Sequence, residues 1–331
     1  MITMEKLRCG SFFAGVGGID IGFEGFGDKK SEFFEIVYAN EYAPYSIKTY
    51  ELNLSIKVDS RDVHKVTENI KGIPDFDVML AGFPCQAFSI AGRRQGFEDE
   101  QGRGTLFFEL TKIIKEKQPS IVFLENVKNL VGHNKGKTFS VIIDSLEKLG
   151  YFVRYKLLNA KDFGIPQNRE RLYIVAFKNK ENSKRFVFPA PVSLEISLSD
   201  ILGFHSKVGE KYYYRKGKFK GDIYEKLVAT VNTKDAVFQW RRHYVRKNMS
   251  GVVPTLTANM GMGGHNVPII FTDYGIRKIT SRECFNTQGF PKEFSLPDDI
   301  AESHLYKQAG NSVCVPVIAQ IAKAIEQAVK G

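Results

Sequence analysis

Between residues 7 and 190, short apolar runs alternate with stretches whose apolar positions recur every three or four residues. The runs at 8–13, 34–39, 76–81, 120–124, 151–158 and 171–177 have the length and composition of strands. Between them, 104–117 sets Leu106, Leu110, Ile113 and Ile114 on one helical face, and 137–149 does the same with Val141, Ile142, Leu146 and Leu149. Such alternation predicts βαβ units around a mostly parallel, doubly wound sheet. After Pro189-Ala190-Pro191 the pattern changes. From 192 to 277 the chain is basic, aromatic and glycine-rich, with short strand-like pieces and no long helix. Helical periodicity returns from Val313 to Val329, in a final helix expected to pack back on the first domain. The expected fold is α/β with a second, smaller, irregular β-rich domain. Residues 1–190 completed by 305–331 form the first domain, and 191–304 form the second with its hinge.

Composition narrows the class. The 331 residues are 43% hydrophobic and 25% charged, as in a globular protein of one or two domains. No run reaches the ~20 apolar residues of a membrane span. The first strand begins within about ten residues, which leaves no room for a signal peptide. Cys9, Cys85, Cys284 and Cys314 are scattered without a CxxC pair, which predicts neither a disulfide framework nor a metal site and points to a reducing cytoplasm. The net charge is +10, and residues 201–250 alone hold 12 Lys/Arg against 4 Asp/Glu. A concentrated basic block with interleaved aromatics is either a solvated face or the footprint of a polyanion; its confinement to one segment favours nucleic acid.

Several chemistry-bearing residues fall at predicted strand ends. Phe13-Ala14-Gly15-Val16-Gly17-Gly18 follows the first strand and opens a helix, a turn suited either to tight packing or to close approach of a nucleotide-like ligand. Glu41 ends the next strand, beside Tyr42, and Asp62 follows the third segment. Each acid alone reads as a helix cap or a solvated residue; together they outline an adenosine-shaped slot. No GxxxxGK[ST] loop is present, which disfavours nucleoside triphosphates. Pro84-Cys85-Gln86 leaves an apolar strand for a loop containing Arg93, Arg94 and Arg103, so Cys85 is either a small buried hydrophobe or a reactive thiolate. Glu125 leaves another strand, where partial burial favours its protonated form. Gln167-Asn168-Arg169-Glu170-Arg171 supplies two guanidiniums before the last strand.

In this order, and with Arg282-Glu283-Cys284, Gln288-Gly289-Phe290-Pro291 and Gly310-Asn311-Ser312-Val313 further on, the chain resembles the DNA cytosine-5 methyltransferases along nearly its whole length. The resemblance implies S-adenosylmethionine across the glycine turn, with Phe13, Ala14, Gly15, Gly17, Gly18, Glu41, Tyr42, Asp62, Pro84, Leu106, Asn311 and Val313 around it. It implies that Cys85 attacks C6 of a flipped cytosine, that Glu125 holds N3 and the amino group, and that Arg171 binds O2, with Arg169 in the same catalytic set. The segment from Ser89 to Thr105 resembles a catalytic loop, and Gln86, Ser89 and Arg103 are its expected DNA contacts. Two departures stand out. Ser11 replaces an acidic residue, and Phe285-Asn286 replace a small and a basic one.

The basic segment then resembles a target-recognition domain. Gln239, Arg241, Arg242, Tyr244 and Arg246 suit guanine edges and phosphates, while Thr255, Thr257, Gly263 and Gly264 belong to a short motif and a glycine-rich stretch near DNA. The expected partner is double-stranded DNA bound by a monomer, with a restriction endonuclease as functional partner. A transfer-RNA methyltransferase would share the catalytic motifs, but the long basic segment favours duplex DNA. A regulator without chemistry is disfavoured by the presence of Cys85, Glu125 and Arg171. A hydride-transferring dinucleotide enzyme is disfavoured by the basic segment, which it leaves unexplained.

Overall fold

The computed structural model describes residues 5–84, 106–218, 222–241, 243–262 and 266–331. It divides into two compact units, one comprising Met1–Leu158, Glu170–Pro189 and Ile318–Gly331, the other Asn159–Arg169 and Ala190–Val317.

The first unit is built on a six-stranded sheet of β1 (Leu7–Phe12), β2 (Phe34–Asn40), β3 (Val78–Ala81), β4 (Ile121–Val127), β5 (Phe152–Asn159) and β6 (Glu170–Phe177), in the order β2-β1-β3-β4-β6-β5. β2, β1, β3 and β4 are parallel neighbours, whereas β6 runs antiparallel to β4. The sheet is therefore mixed with a parallel centre. β3 is buried throughout and β4 along all but its last residue, which is why both read as continuous apolar runs. Helices α1 (Gly18–Glu24), α2 (Pro44–Asn53), α3 (Val63–Thr67), α4 (Leu106–Lys117) and α5 (Lys137–Lys148) connect the strands. In α4, Phe107, Leu110, Ile113 and Ile114 are fully buried against Met79, Val122 and Leu124, so the helical stripe seen in the sequence is a core stripe.

The second unit contains a four-stranded antiparallel sheet of β7 (Phe238–Arg241), β8 (Tyr244–Lys247), β9 (Ile269–Thr272) and β10 (Gly275–Lys278), ordered β8-β7-β9-β10. Phe238, Trp240, Val245, Ile269 and Ile276 bury one face of it beneath α6 (Ile223–Thr230). Three further helices are α7 (Ser281–Thr287), α8 (Glu302–Asn311) and α9 (Val315–Lys330). The expected return to the first domain at 305 comes later, at Ile318. α8 packs on α7, and its buried Tyr306 donates a hydrogen bond to Ile279 O, so it belongs with the second unit. From Ile318 onward α9 lies on α1, closely enough that a Cβ on Gly22 would collide with Ile318. The stretch Glu302–Lys330 reaches the length and mean hydropathy, 1.3, of a membrane-crossing helix, although it is not a continuous apolar run. It is interrupted at residues 312–314, and just over half of its most apolar window is buried in the protein. The departure at Phe285-Asn286 is a packing feature, because Phe285 meets Phe290 edge to face at a ring distance of 5.0 Å and stacks on Phe294 at 5.6 Å.

A buried polar hub ties the second unit together. Gln167 accepts from Leu256 N–H at 3.2 Å and donates to Thr287 O at 2.8 Å and to Gln288 Oε1 at 3.0 Å. Arg169, only 2% exposed, donates to Leu256 O at 2.9 Å, to Gly310 O at 3.1 Å and to Ser312 O. One guanidinium thus closes three carbonyls from two segments, around Leu256 and around Gly310–Ser312, that are far apart in sequence. Arg169→Ala should strip all three of their partner and cost about 3–5 kcal/mol, with Arg169→Lys unable to restore the loss because an ammonium lacks the planar fork. Urea unfolding followed by tryptophan fluorescence reads this through Trp240; an unchanged midpoint would remove Arg169 from the hub.

Candidate active site

Parallel register decides what meets at the sheet edge. Phe12 pairs with Asn40 on one side and Ala81 on the other, and Ala81 pairs with Leu124. The residues after β1, β2 and β3 and those ending β4 therefore emerge together, at the carboxyl edge where the strand order reverses around β1. β6 enters antiparallel at the same edge, with Arg171 opposite Val127.

The turn after β1 is built from left-handed residues. Phe13, Gly15 and Gly17 have φ of 54°, 59° and 85°. At Gly17 a side chain would also collide with Leu54 and crowd Tyr50, so glycine is required by conformation and by space. Around Gly15 the space is open. Ala14 N–H donates to Asn40 O at 3.0 Å, and the half-buried Glu41 carboxylate accepts from Gly15 N–H at 3.0 Å and Ala43 N–H at 2.8 Å. Gly18 is the first residue of α1, and Tyr42 beside Glu41 is 65% exposed. Asp62 is exposed and caps α3, accepting from His64 N–H at 2.9 Å, the cap reading left open by the sequence. An open glycine backbone with a carboxylate and two aromatic rings nearby suits a nucleoside bearing a positive charge better than a polyphosphate.

The Glu125–Arg171 pair stands at the same edge. Arg171 Nε lies 3.1 Å from Glu125 Oε1, both side chains nearly buried. The burial argument that favours a protonated Glu125 thus meets a charge partner, which a strand-end reading could not show. A Cβ on Gly82 would stand 3.6 Å from Glu125 Oε2, so the carboxylate faces the backbone that leads through Phe83 to the exposed Pro84. Asn126 is 3% exposed and donates to Phe83 O at 2.8 Å, anchoring that backbone. Leu106 is half-buried at the start of α4.

Cys85, Gln86, Ser89 and Arg103 lie outside the described residues, as do Arg242, Gly263 and Gly264. The other three cysteines are buried, and burial pushes each thiol up, Cys314 to about 12, so none of them is a ready thiolate. Arg169 and Arg171 have separate employment: Arg169 holds carbonyls in the second unit, and Arg171 faces Glu125 in the first. Asn311 is exposed at the end of α8 and Val313 is buried, both in the second unit.

In that second unit, β7 and β8 present one polar face. Gln239 is paired with Arg246, and Arg241 with Tyr244. Gln239 Oε1 accepts from Arg246 at 3.0 Å and from Arg241 at 3.3 Å, while Arg241, Tyr244 and Arg246 remain exposed. Thr255 donates to Asn168 O at 2.5 Å, tying its segment to the 167–169 turn, and Thr257 donates to Asn259 Oδ1 at 2.6 Å within its own segment.

Sequence reasoning missed Asn40, Asn126, Asp20 and Tyr50 as parts of the edge. The available signal was a polar residue inside an apolar stretch: Asn40 and Asn126 end strands, and Asp20 interrupts Gly18-Ile19-Asp20-Ile21.

The sequence model of the C-5 cytosine-specific DNA methylases matches residues 7–327. The chain is 52% identical over 320 residues to the type II methyltransferase M.Bsp6I of Bacillus sp. (strain RFL6), covering 96% of this chain and 98% of that protein. It is 37% identical over 328 residues to M.HhaI of Haemophilus parahaemolyticus, covering 96% and 94%. Among solved structures, Spodoptera frugiperda DNMT2 superposes with a TM-score of 0.72 at 20% identity, over 97% of this chain and all of that one. Glycine turn, carboxylate edge and sequence relationship converge: the chain belongs to the C-5 cytosine-specific DNA methylases and is a DNA cytosine-5 methyltransferase of the type II restriction-modification class.

Proposed function

We propose that Cys85 is the nucleophile of this enzyme, that Glu125 and Arg171 hold the target cytosine, and that the turn at Phe13–Gly18 with Glu41 and Tyr42 binds S-adenosylmethionine. The reading is carried by the Glu125–Arg171 pair beside Gly82. Cytosine presents O2, N3 and a 4-amino group along one edge, and a guanidinium next to a carboxyl group matches that order. The base is unreachable within a duplex and is flipped at a cost of a few kcal/mol. The Cys85 thiolate then adds to C6, and Glu125 stabilises the charge that moves into the ring, leaving C5 nucleophilic. S-adenosylmethionine, when bound, supplies an electrophilic methyl carbon. Loss of the C5 proton to a base lets the thiol leave.

The first unit serves as the catalytic domain and the second as the target reader. Its basic charge supplies phosphate affinity, and the Gln239, Arg241, Tyr244 and Arg246 face supplies base contacts. The enzyme works as a cytoplasmic monomer, opposite an endonuclease of the same specificity; the type II relatives support that pairing.

Two experiments test this. Cys85→Ala should abolish methylation, read by bisulfite sequencing of treated duplex, while leaving duplex binding within about twofold; retained turnover would overturn the mechanism. Arg246→Ala should relax discrimination at one position of the recognised sequence by about 1–3 kcal/mol. Uniform weakening on all sequences would make Arg246 a phosphate contact instead.

A further inference from the structure

Asp20 is a buried carboxylate that the chemistry above does not use, and it lies beside the glycine turn. It is 1% exposed, in the first turn of α1, three residues after Gly17. Ser11 Oγ donates to its Oδ1 at 2.6 Å and Tyr50 OH to its Oδ2 at 2.6 Å. These partners are not placed at random. Ser11 is the penultimate residue of β1, so its bond to Asp20 closes the neck of the loop that contains Phe13, Gly15 and Gly17. Tyr50 comes from α2, and its ring edge would stand 3.2 Å from a Cβ on Gly17. One carboxylate therefore clamps the strand end, the helix start and the wall against the left-handed Gly17. Ser11 is also the position where this chain departs from the acidic residue of the resemblance: here the acid is on the helix and the strand supplies the hydroxyl.

We propose that Asp20 is a positioning residue for cofactor binding, its ionised carboxylate holding the Gly15–Gly18 turn in shape through Ser11 and Tyr50. The proposal rests on the reading of that turn as the S-adenosylmethionine site. Only the ionised form accepts from both hydroxyls at once; a protonated carboxyl must spend one oxygen as a donor, and one arm of the clamp reverses or opens.

Burial, opposed by the two hydroxyls, pushes the Asp20 carboxyl up from 3.8 to about 6, with Glu24 on the same helix adding to the rise. The other titratable neighbours are Tyr50 on α2 and Cys9 on β1, which burial holds far up and neutral. A folded-state value above the unfolded one means that the ionised group weakens the fold. Its contribution is most favourable below 3.8 and declines as pH rises through the window to about 6. Above that window the chain keeps a buried charge that makes folding less favourable. Retention of such a group at the neck of the cofactor turn fits a role in binding rather than in stability.

The test uses the full chain and Asp20→Asn, which preserves shape and removes the charge. Calorimetric titration with S-adenosylmethionine should show wild-type affinity falling as pH drops from 8 through 6, and the variant binding about three- to tenfold more weakly at pH 8 with a flatter profile. Its KM for cofactor should rise while kcat at saturation stays near wild type. Without cofactor, the variant's thermal midpoint at pH 8 should exceed that of the wild type, with the gap closing towards pH 4. Tyr50→Phe, which keeps the ring against Gly17, should weaken binding by a similar factor without the gain in midpoint at pH 8. Unaltered affinity and pH profile in Asp20→Asn would overturn the inference alone, as would a lowered midpoint with kcat and KM both impaired. Absence of S-adenosylmethionine binding by the wild type at every pH would overturn the cofactor reading as well.

Discussion

Parallel pairing of β2, β1, β3 and β4 is the constraint on which the first unit depends. In a parallel sheet each strand must be followed by a crossover, so each carboxyl end opens onto the same edge and each chain reversal happens elsewhere. Here that rule gathers the Phe13–Gly18 turn, Glu41, the Phe83–Pro84 backbone and Glu125 from positions more than a hundred residues apart. Antiparallel β6 adds what the crossovers do not, delivering Arg171 at its first turn into the sheet rather than at its end. Reversal of one strand among parallel ones thus places a guanidinium opposite a carboxylate.

Assembly at an edge leaves backbone groups exposed to desolvation, and buried polar side chains answer this. Asn40 donates to Asp59 O at 2.9 Å and Arg61 O at 2.8 Å, fixing the segment that leads to Asp62. Asn126 does the same for Phe83 O. Each is worth little as an isolated hydrogen bond, yet losing the Asn126 amide would strip the buried Phe83 carbonyl of that partner, which costs about 1–3 kcal/mol. Loop shape near the chemistry is therefore set by side chains that sit behind it.

Much of this was legible in the residues themselves. Apolar runs marked the strands to within a few positions, and the chain divides between Pro189 and Ala190, just before the stretch that turns basic and irregular. Strand direction was not legible, because a period of two is the same in both directions, and so antiparallel β6 came only with the structure. Arg169 and Arg171 looked equivalent two residues apart in one charged turn. What separates them is three carbonyls 87 to 143 residues away for one and Glu125 for the other. Asp62 could be a cap or a ligand from sequence, and a hydrogen bond two residues ahead makes it a cap without removing it from the edge. Burial of Glu125 was foreseeable; the partner of its charge was not.

The hairpin of β7 and β8, the proposed target-reading face, follows the same logic. Alternation buries Phe238, Trp240 and Val245 on one side, so Gln239, Arg241, Tyr244 and Arg246 must share the other. Two exposed guanidiniums would repel and wander in water. Both instead donate to one amide oxygen on Gln239, which brings their planes to a common point and lowers the entropy lost when they meet an acceptor. Guanine offers two acceptors on its major-groove edge at the spacing of a guanidinium fork. A pre-set arginine distinguishes that edge from adenine's, where one acceptor is replaced by a donor and the fork is left half unpaired. In the proposed target reader, specificity would come less from the arginines than from the glutamine that holds them still.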